Sequence, residues 1–166
     1  MNITIRISRH LDSEIRNDLI RPHQFAFERI GFVSGVHSKL EKDEYLIILK
    51  KYYPIDEVDY IKDHSVGARI NGNAIRKIMQ HILDNHEGMF HIHMHPFNVP
   101  PGMSRTDSRE IPPVLESLRN VDKSVMNGCI ILSNTLYIAH IDVPDQKQLI
   151  VTKNIRVVGF SFSINI

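Results

Sequence analysis

His93-Met-His95-Pro96 is followed, one short loop later, by Ser104-Arg-Thr-Asp107, and far upstream stands Glu28-Arg-Ile-Gly31-Phe-Val-Ser-Gly35. Together these segments offer two imidazoles and a carboxylate for a metal, a hydroxyl, and a second carboxylate to serve as a base. That is the inventory required to activate water for hydrolysis of an amide bond.

Residues two apart on a strand point to the same face, so His93 and His95 can both reach one ion at roughly 2.0–2.1 Å through a ring nitrogen. His91 shares that face and offers a rival pair. One ion does not serve His91 and His95 together, because four strand residues separate them by about 13 Å. His93 and His95 are preferred since the strand ends there and Pro96 turns the chain towards Ser104 and Asp107. His91 is then expected in a structural or supporting role.

A His-x-His pattern alone often marks histidines with no metal, and Ser104-x-x-Asp107 alone matches an ordinary helix capping box. The combination is more specific, because a helix starting at Ser104 carries Asp107 on its first turn as a third ligand. Two histidines and one carboxylate leave a zinc ion a fourth position for water, as in catalytic sites. Bound Zn²⁺ brings that water's pKa towards about 7. A base must accept and return the proton. Glu28 is the candidate, since a carboxylate among Phe25, Phe27 and Ile30 is costly to bury without a use. Taken alone, it reads as a surface strand residue.

With 166 residues the chain fits a single domain, 1–166, burying about 70% of its unfolded surface. Hydrophobic content of 42%, charge of 23% and a net charge of +1 give no general argument for nucleic acid or acidic membrane as a partner. The single cysteine, Cys129, excludes an internal disulfide and lies in an apolar run, where a buried core thiol is expected. No apolar stretch has the length of a membrane span and the N-terminus alternates like a strand, so a cytoplasmic location is expected.

Around the motifs the pattern predicts a mixed α/β (α+β) fold, a mostly antiparallel sheet flanked by helices. Strands are predicted over 2–8, 25–34, 44–53, 89–94, 125–133, 135–142, 148–151 and 155–164, with a further short one at 68–70. Helices are predicted from Asp12 to Ile20, from Ala74 to a stop at Gly88, and from Ser104 onward, with Pro112-Pro113 kinking or dividing the last. Asn71-Gly-Asn73 reads as a turn feeding an N-cap. Tyr52 and Tyr53 are expected to be exposed and available to an interface.

Glu-x-x-Gly-x-x-x-Gly, His-x-His-Pro and Ser-x-x-Asp, in that order, resemble the JAMM metalloproteases, the catalytically competent MPN-domain proteins. The resemblance implies an MPN/JAB (cytidine deaminase-like) architecture with one zinc ion per chain. His93, His95 and Asp107 match the zinc ligands, Glu28 the general base, and Ser104 the hydroxyl that stabilises the oxyanion. One departure is that eight residues separate His95 from Ser104 where seven are usual. Implied too is cleavage after the C-terminal glycine of a ubiquitin-like protein, by deconjugation or precursor processing. Its extended tail would lie beside a segment corresponding to 59–70, with Gly67, Ala68, Arg69 and Ile70 able to add an edge strand. The compact domain looks most like bacterial proteins encoded with ubiquitin-like modifiers and their activating or conjugating enzymes, some in antiviral operons.

Three other readings compete. A RadC-like protein of DNA metabolism shares the histidine and Ser/Asp motifs, but the chain has no basic stripe. A non-catalytic MPN scaffold would lack ligands that are present here. A small-molecule amidase or a deaminase remains, although the deaminase would want a second cysteine.

Overall fold

The computed structural model describes residues 1–159 apart from 23, 25, 64–66 and 96–99. Eight strands and three helices are assigned among them: β1 (Asn2–Ser8), α1 (Arg9–Leu19), β2 (Ile30–Glu41), β3 (Glu44–Pro54), α2 (Gly72–Asn85), β4 (Gly88–Met94), α3 (Arg105–Val121), β5 (Asn127–Leu132), β6 (Tyr137–Asp142), β7 (Ile150–Thr152) and β8 (Ile155–Val158). The strands form one mixed, mostly antiparallel sheet in the order β7-β6-β5-β4-β2-β3-β1-β8, as the alternation along the chain predicts in outline.

β7 and β8 occupy opposite edges of this sheet, yet only Lys153 and Asn154 separate them in the chain. So short a link reaches about 10 Å at most. The sheet must therefore curl until its edges nearly meet. The Ile5 amide donates to the Asn154 carbonyl at 2.9 Å, and the Thr152 hydroxyl donates to the Ile3 carbonyl at 2.8 Å.

Period-two alternation splits the apolar residues between two cores. Inside the curl, Ile3, Ile5, Val33, Ile47, Phe90, Ile92 and Ile130 pack against Leu11, Ile15 and Leu19 of α1. That helix forms because its apolar residues recur every four positions and the Ser8 side chain caps the Leu11 amide. On the outer face, Phe32, Met89 and Ile131 pack against Ile78 and Ile82 of α2 and Leu115 and Leu118 of α3. Each such side chain contributes about 1.5–3 kcal/mol by burial. β4 lies between the two cores and is buried along its whole length.

The structure departs from the sequence expectations in several places. β2 begins at Ile30 rather than at Phe25, which lies outside the described residues, and runs on to Glu41 through a mostly exposed stretch that pairs with β3. The 68–70 strand reduces to one antiparallel bridge between Ile70 and Tyr60, and a single 3-10 turn occupies Glu57–Asp59. α3 is one uninterrupted helix through Pro112 and Pro113. The carbonyls deprived of donors there belong to Ser108 and Arg109, which are exposed and can be solvated. His86, not Gly88, takes the left-handed conformation ending α2. Gly88 starts β4, where a β-carbon would meet the Met126 carbonyl oxygen at 1.9 Å. Tyr52 is buried and donates to the Asp18 carboxylate at 2.7 Å, so it is closed to an interface; Tyr53 is half-buried. The far end of the predicted 155–164 strand, and Pro96 itself, fall outside the described residues. Among the described residues no helix is long and apolar enough to cross a membrane.

Candidate metal centre

β4 runs antiparallel to β2 and parallel to β5, with His93 opposite Ile30 on one side and Ile131 on the other. Period two sends His91 and His93 to the outer face and their neighbours Phe90 and Ile92 to the inner core. Beyond the end of the strand, the His95 amide donates to the Leu132 carbonyl, which holds His95 beside the end of β5. The rings of His93 and His95 lie 4.9 Å apart between centroids.

Asp107 reaches this pair from the first turn of α3. Its Oδ1 lies 3.5 Å from His93 Nε2 and its Oδ2 3.6 Å from His95 Nε2. Two ligands at about 2.0–2.1 Å from a tetrahedral ion stand about 3.4 Å apart, so each contact has a suitable length, although a different oxygen of Asp107 makes each one. His93 is 1% exposed, and among the described residues neither ring nitrogen has a hydrogen-bond partner. A buried imidazole without a partner is costly, and an ion would satisfy it. The donor set therefore fits zinc.

The capping box is present as well. Ser104 Oγ accepts from the Asp107 amide at 3.1 Å, and the Ser104 amide donates to Asp107 Oδ2 at 2.7 Å. Asp107 thus starts the helix and faces the histidines at once. Burial alone would push its carboxyl up. The His93 imidazole and the amide and hydroxyl of Ser104 outweigh that and hold it far below the usual carboxylate range.

Glu28 lies in the bend before β2, and a carboxylate oxygen of it falls within 4.8 Å of ring nitrogens of both His93 and His95. The Gly67 carbonyl accepts the amides of Phe27 and Glu28, each at 2.9 Å, which fixes that bend. A cavity of about 850 Å³ opens over the site. Glu28, His93, Ser104 and Asp107 line it, as do Gly67, Ala68, Arg69 and Ile70, so the structure brings the sequence-derived residues to one place. His95 flanks it through Asp107.

Two contributors were not foreseen. Tyr60 accepts the Ile30 amide at 3.1 Å and donates to the Ile30 carbonyl at 3.0 Å, completing the end of β2 where β3 has turned away. A lone tyrosine in a polar stretch carries no signal of this. Cys129 lies opposite His91 in the β4–β5 register, with Sγ 3.7 Å from His91 Nδ1. Only the strand pairing brings them together. Burial, then the neighbouring His93, lowers the His91 pKa to about 3, so its ring is neutral; burial pushes the Cys129 thiol far up.

No family model and no curated protein sequence matches the chain. Among solved structures it is similar to the STIL N-terminal domain of Trichoplax adhaerens at 10% identity and a TM-score of 0.42. That alignment covers 84% of this chain and 41% of the other, so the chain spans less than half its length. So slight a likeness carries no functional argument.

Proposed function

We propose that the protein is a zinc-dependent isopeptidase or processing peptidase of the JAMM/MPN type, acting after the C-terminal glycine of a ubiquitin-like protein. The observation that carries this reading is the Asp107 carboxylate spanning His93 and His95 beneath a cavity that also holds Glu28 and Ser104. His93, His95 and Asp107 hold one zinc ion. When bound, it supplies Lewis acidity and brings the pKa of a water to about 7.

The chain's own groups do the rest. Glu28 takes the proton of the attacking water and passes it to the departing amine. Ser104 Oγ already accepts a backbone amide, which leaves its hydroxyl proton free to be donated to the carbonyl oxygen as negative charge builds there. The Gly67–Ile70 segment, tied to Glu28 at one end and bridged to Tyr60 at the other, holds the substrate tail extended over the cavity. A cytoplasmic setting, beside activating and conjugating enzymes, accompanies this reading.

The test is zinc content together with cleavage of a ubiquitin-like fusion by wild type and Glu28→Gln. One zinc per chain in both, with cleavage lost only in Glu28→Gln, is expected. Undiminished cleavage by the variant removes Glu28 from its role, and a wild type that cleaves with no metal overturns the zinc reading.

A further inference from the structure

The structure carries a second donor triangle directly behind the first. His91, His93 and Cys129 place one ring nitrogen each and the thiol within 4.8 Å of one another. All three are buried, at 7%, 1% and 0% exposure. Strand geometry makes the triangle rigid, since the histidines are two apart on β4 and Cys129 faces His91 across the pairing to β5. The measured edge, 3.7 Å between His91 Nδ1 and Cys129 Sγ, suits a common ion. Arms of about 2.0–2.1 Å to nitrogen and about 2.3 Å to sulfur give edges of about 3.6–3.8 Å between tetrahedral and trigonal angles.

We infer that His91, His93 and Cys129 form a site for a soft monovalent ion, copper(I), which draws His93 away from Asp107 and His95. Softness follows from the thiolate, which suits copper(I) and zinc among common cellular ions, and charge decides between those two. The charge follows from burial. On binding, the Cys129 S–H bond breaks, its proton leaves to solvent, and S⁻ pairs with Cu⁺ beside two neutral imidazoles. The buried unit is then neutral, whereas a divalent ion would leave a net positive charge in an apolar wall. Entry is through the large cavity, whose lining includes His91 and His93. Copper binding stands independently of the proposed peptidase activity; only the competition for His93 rests on it.

The test is anaerobic titration of the full chain with copper(I) supplied as its bicinchoninate complex. Wild type is expected to withdraw one equivalent. Cys129→Ser should bind at least a hundredfold more weakly, while His95→Ala and Asp107→Asn, which release His93 from the competing site, should bind at least as tightly as wild type. No uptake by wild type, equal uptake by Cys129→Ser, or losses in His95→Ala and Asp107→Asn as large as in Cys129→Ser would each overturn the site. Should Cys129→Ser fail to fold, X-ray absorption on copper-loaded wild type decides: one sulfur with two nitrogens supports the site and a sulfur-free shell overturns it. Zinc release on adding one equivalent of copper(I) reports the competition separately.

Discussion

The Gly67 backbone lies against the Glu28 carboxylate so closely that a β-carbon at Gly67 would sit 2.6 Å from Glu28 Oε2. Contact that tight tolerates only glycine unless the carboxylate moves, and a carboxylate at the end of a flexible side chain can move cheaply. Gly67→Ala should therefore leave the melting temperature nearly unchanged and zinc bound. Displacing a catalytic group by about 1 Å costs up to about a hundredfold in rate. A drop in kcat of about ten- to a hundredfold is expected. Full activity in this variant would show that Glu28 does not depend on its neighbour for position.

Ser104 caps α3 through its oxygen, and the proposed mechanism gives its proton a second, separable duty. Ser104→Ala removes both and should cost about 1 kcal/mol of stability with about 10²–10³ in kcat. Ser104→Gly should recover most of the stability, because glycine at an N-cap costs only a few tenths of a kcal/mol. Its activity should stay low. Denaturant titration beside steady-state cleavage reads the two effects apart, and activity that returned with stability would reduce Ser104 to a cap.

Gly88 and Gly102 provide a matched pair. At Gly88 an added β-carbon would meet the Met126 carbonyl oxygen at 1.9 Å, backbone against backbone, whereas at Gly102 nothing among the described residues lies within 4 Å. Gly88→Ala should destabilise by about 3 kcal/mol or more, and Gly102→Ala should stay within about 0.5 kcal/mol of wild type. Similar unfolding midpoints for both would mean that β4 does not start where the structure places it.

Acid stability should depend on Asp122. The hydroxyl of Ser124, then His86 and the Ser124 amide, hold its carboxyl at about 2, below the ordinary 3.8. A carboxyl whose folded pKa is depressed stabilises the fold above its unfolded value, and that contribution disappears as pH falls through the folded one. The window is thus about pH 4 down to about pH 2. Asp122→Asn should be less stable than wild type at pH 7, and the gap should close across that window. Unfolding with a chelator present, so that metal ligands do not contribute a difference, would show parallel curves if Asp122 were uninvolved.

Side chains whose roles depend on local periodicity were legible in the sequence. His93 and His95 share a face by strand period, and Asp107 follows from a helix start one loop later; Cys129 was expected in the core and is there. The mixed, mostly antiparallel sheet with flanking helices was legible too. What could not be read depends on partners remote in the chain. The Cys129–His91 contact exists only through the β4–β5 register, and Tyr52 is buried by packing in the core with α1, whose Asp18 takes its hydroxyl. The second half of β2 is mostly exposed and its two apolar residues, Val36 and Leu40, stand four apart, so no hydrophobic alternation betrays it; its pairing with β3 makes it a strand. Pro112 and Pro113 signal a break, but solvent can take over the carbonyls they release.

The two-residue link between β7 and β8 sets the order in which this molecule can be completed. β1 is made first, yet its outer neighbour is β8, with Ile5 in register with Ile155. During synthesis the first strand therefore waits, unpaired on one side, until almost all of the described chain has emerged. Pairings so distant in sequence slow folding and lengthen the time an unfinished edge is exposed to other chains. A ribosome-bound nascent chain ending at Asp142 would have every proposed metal ligand in hand and still lack the closure that joins its two edges.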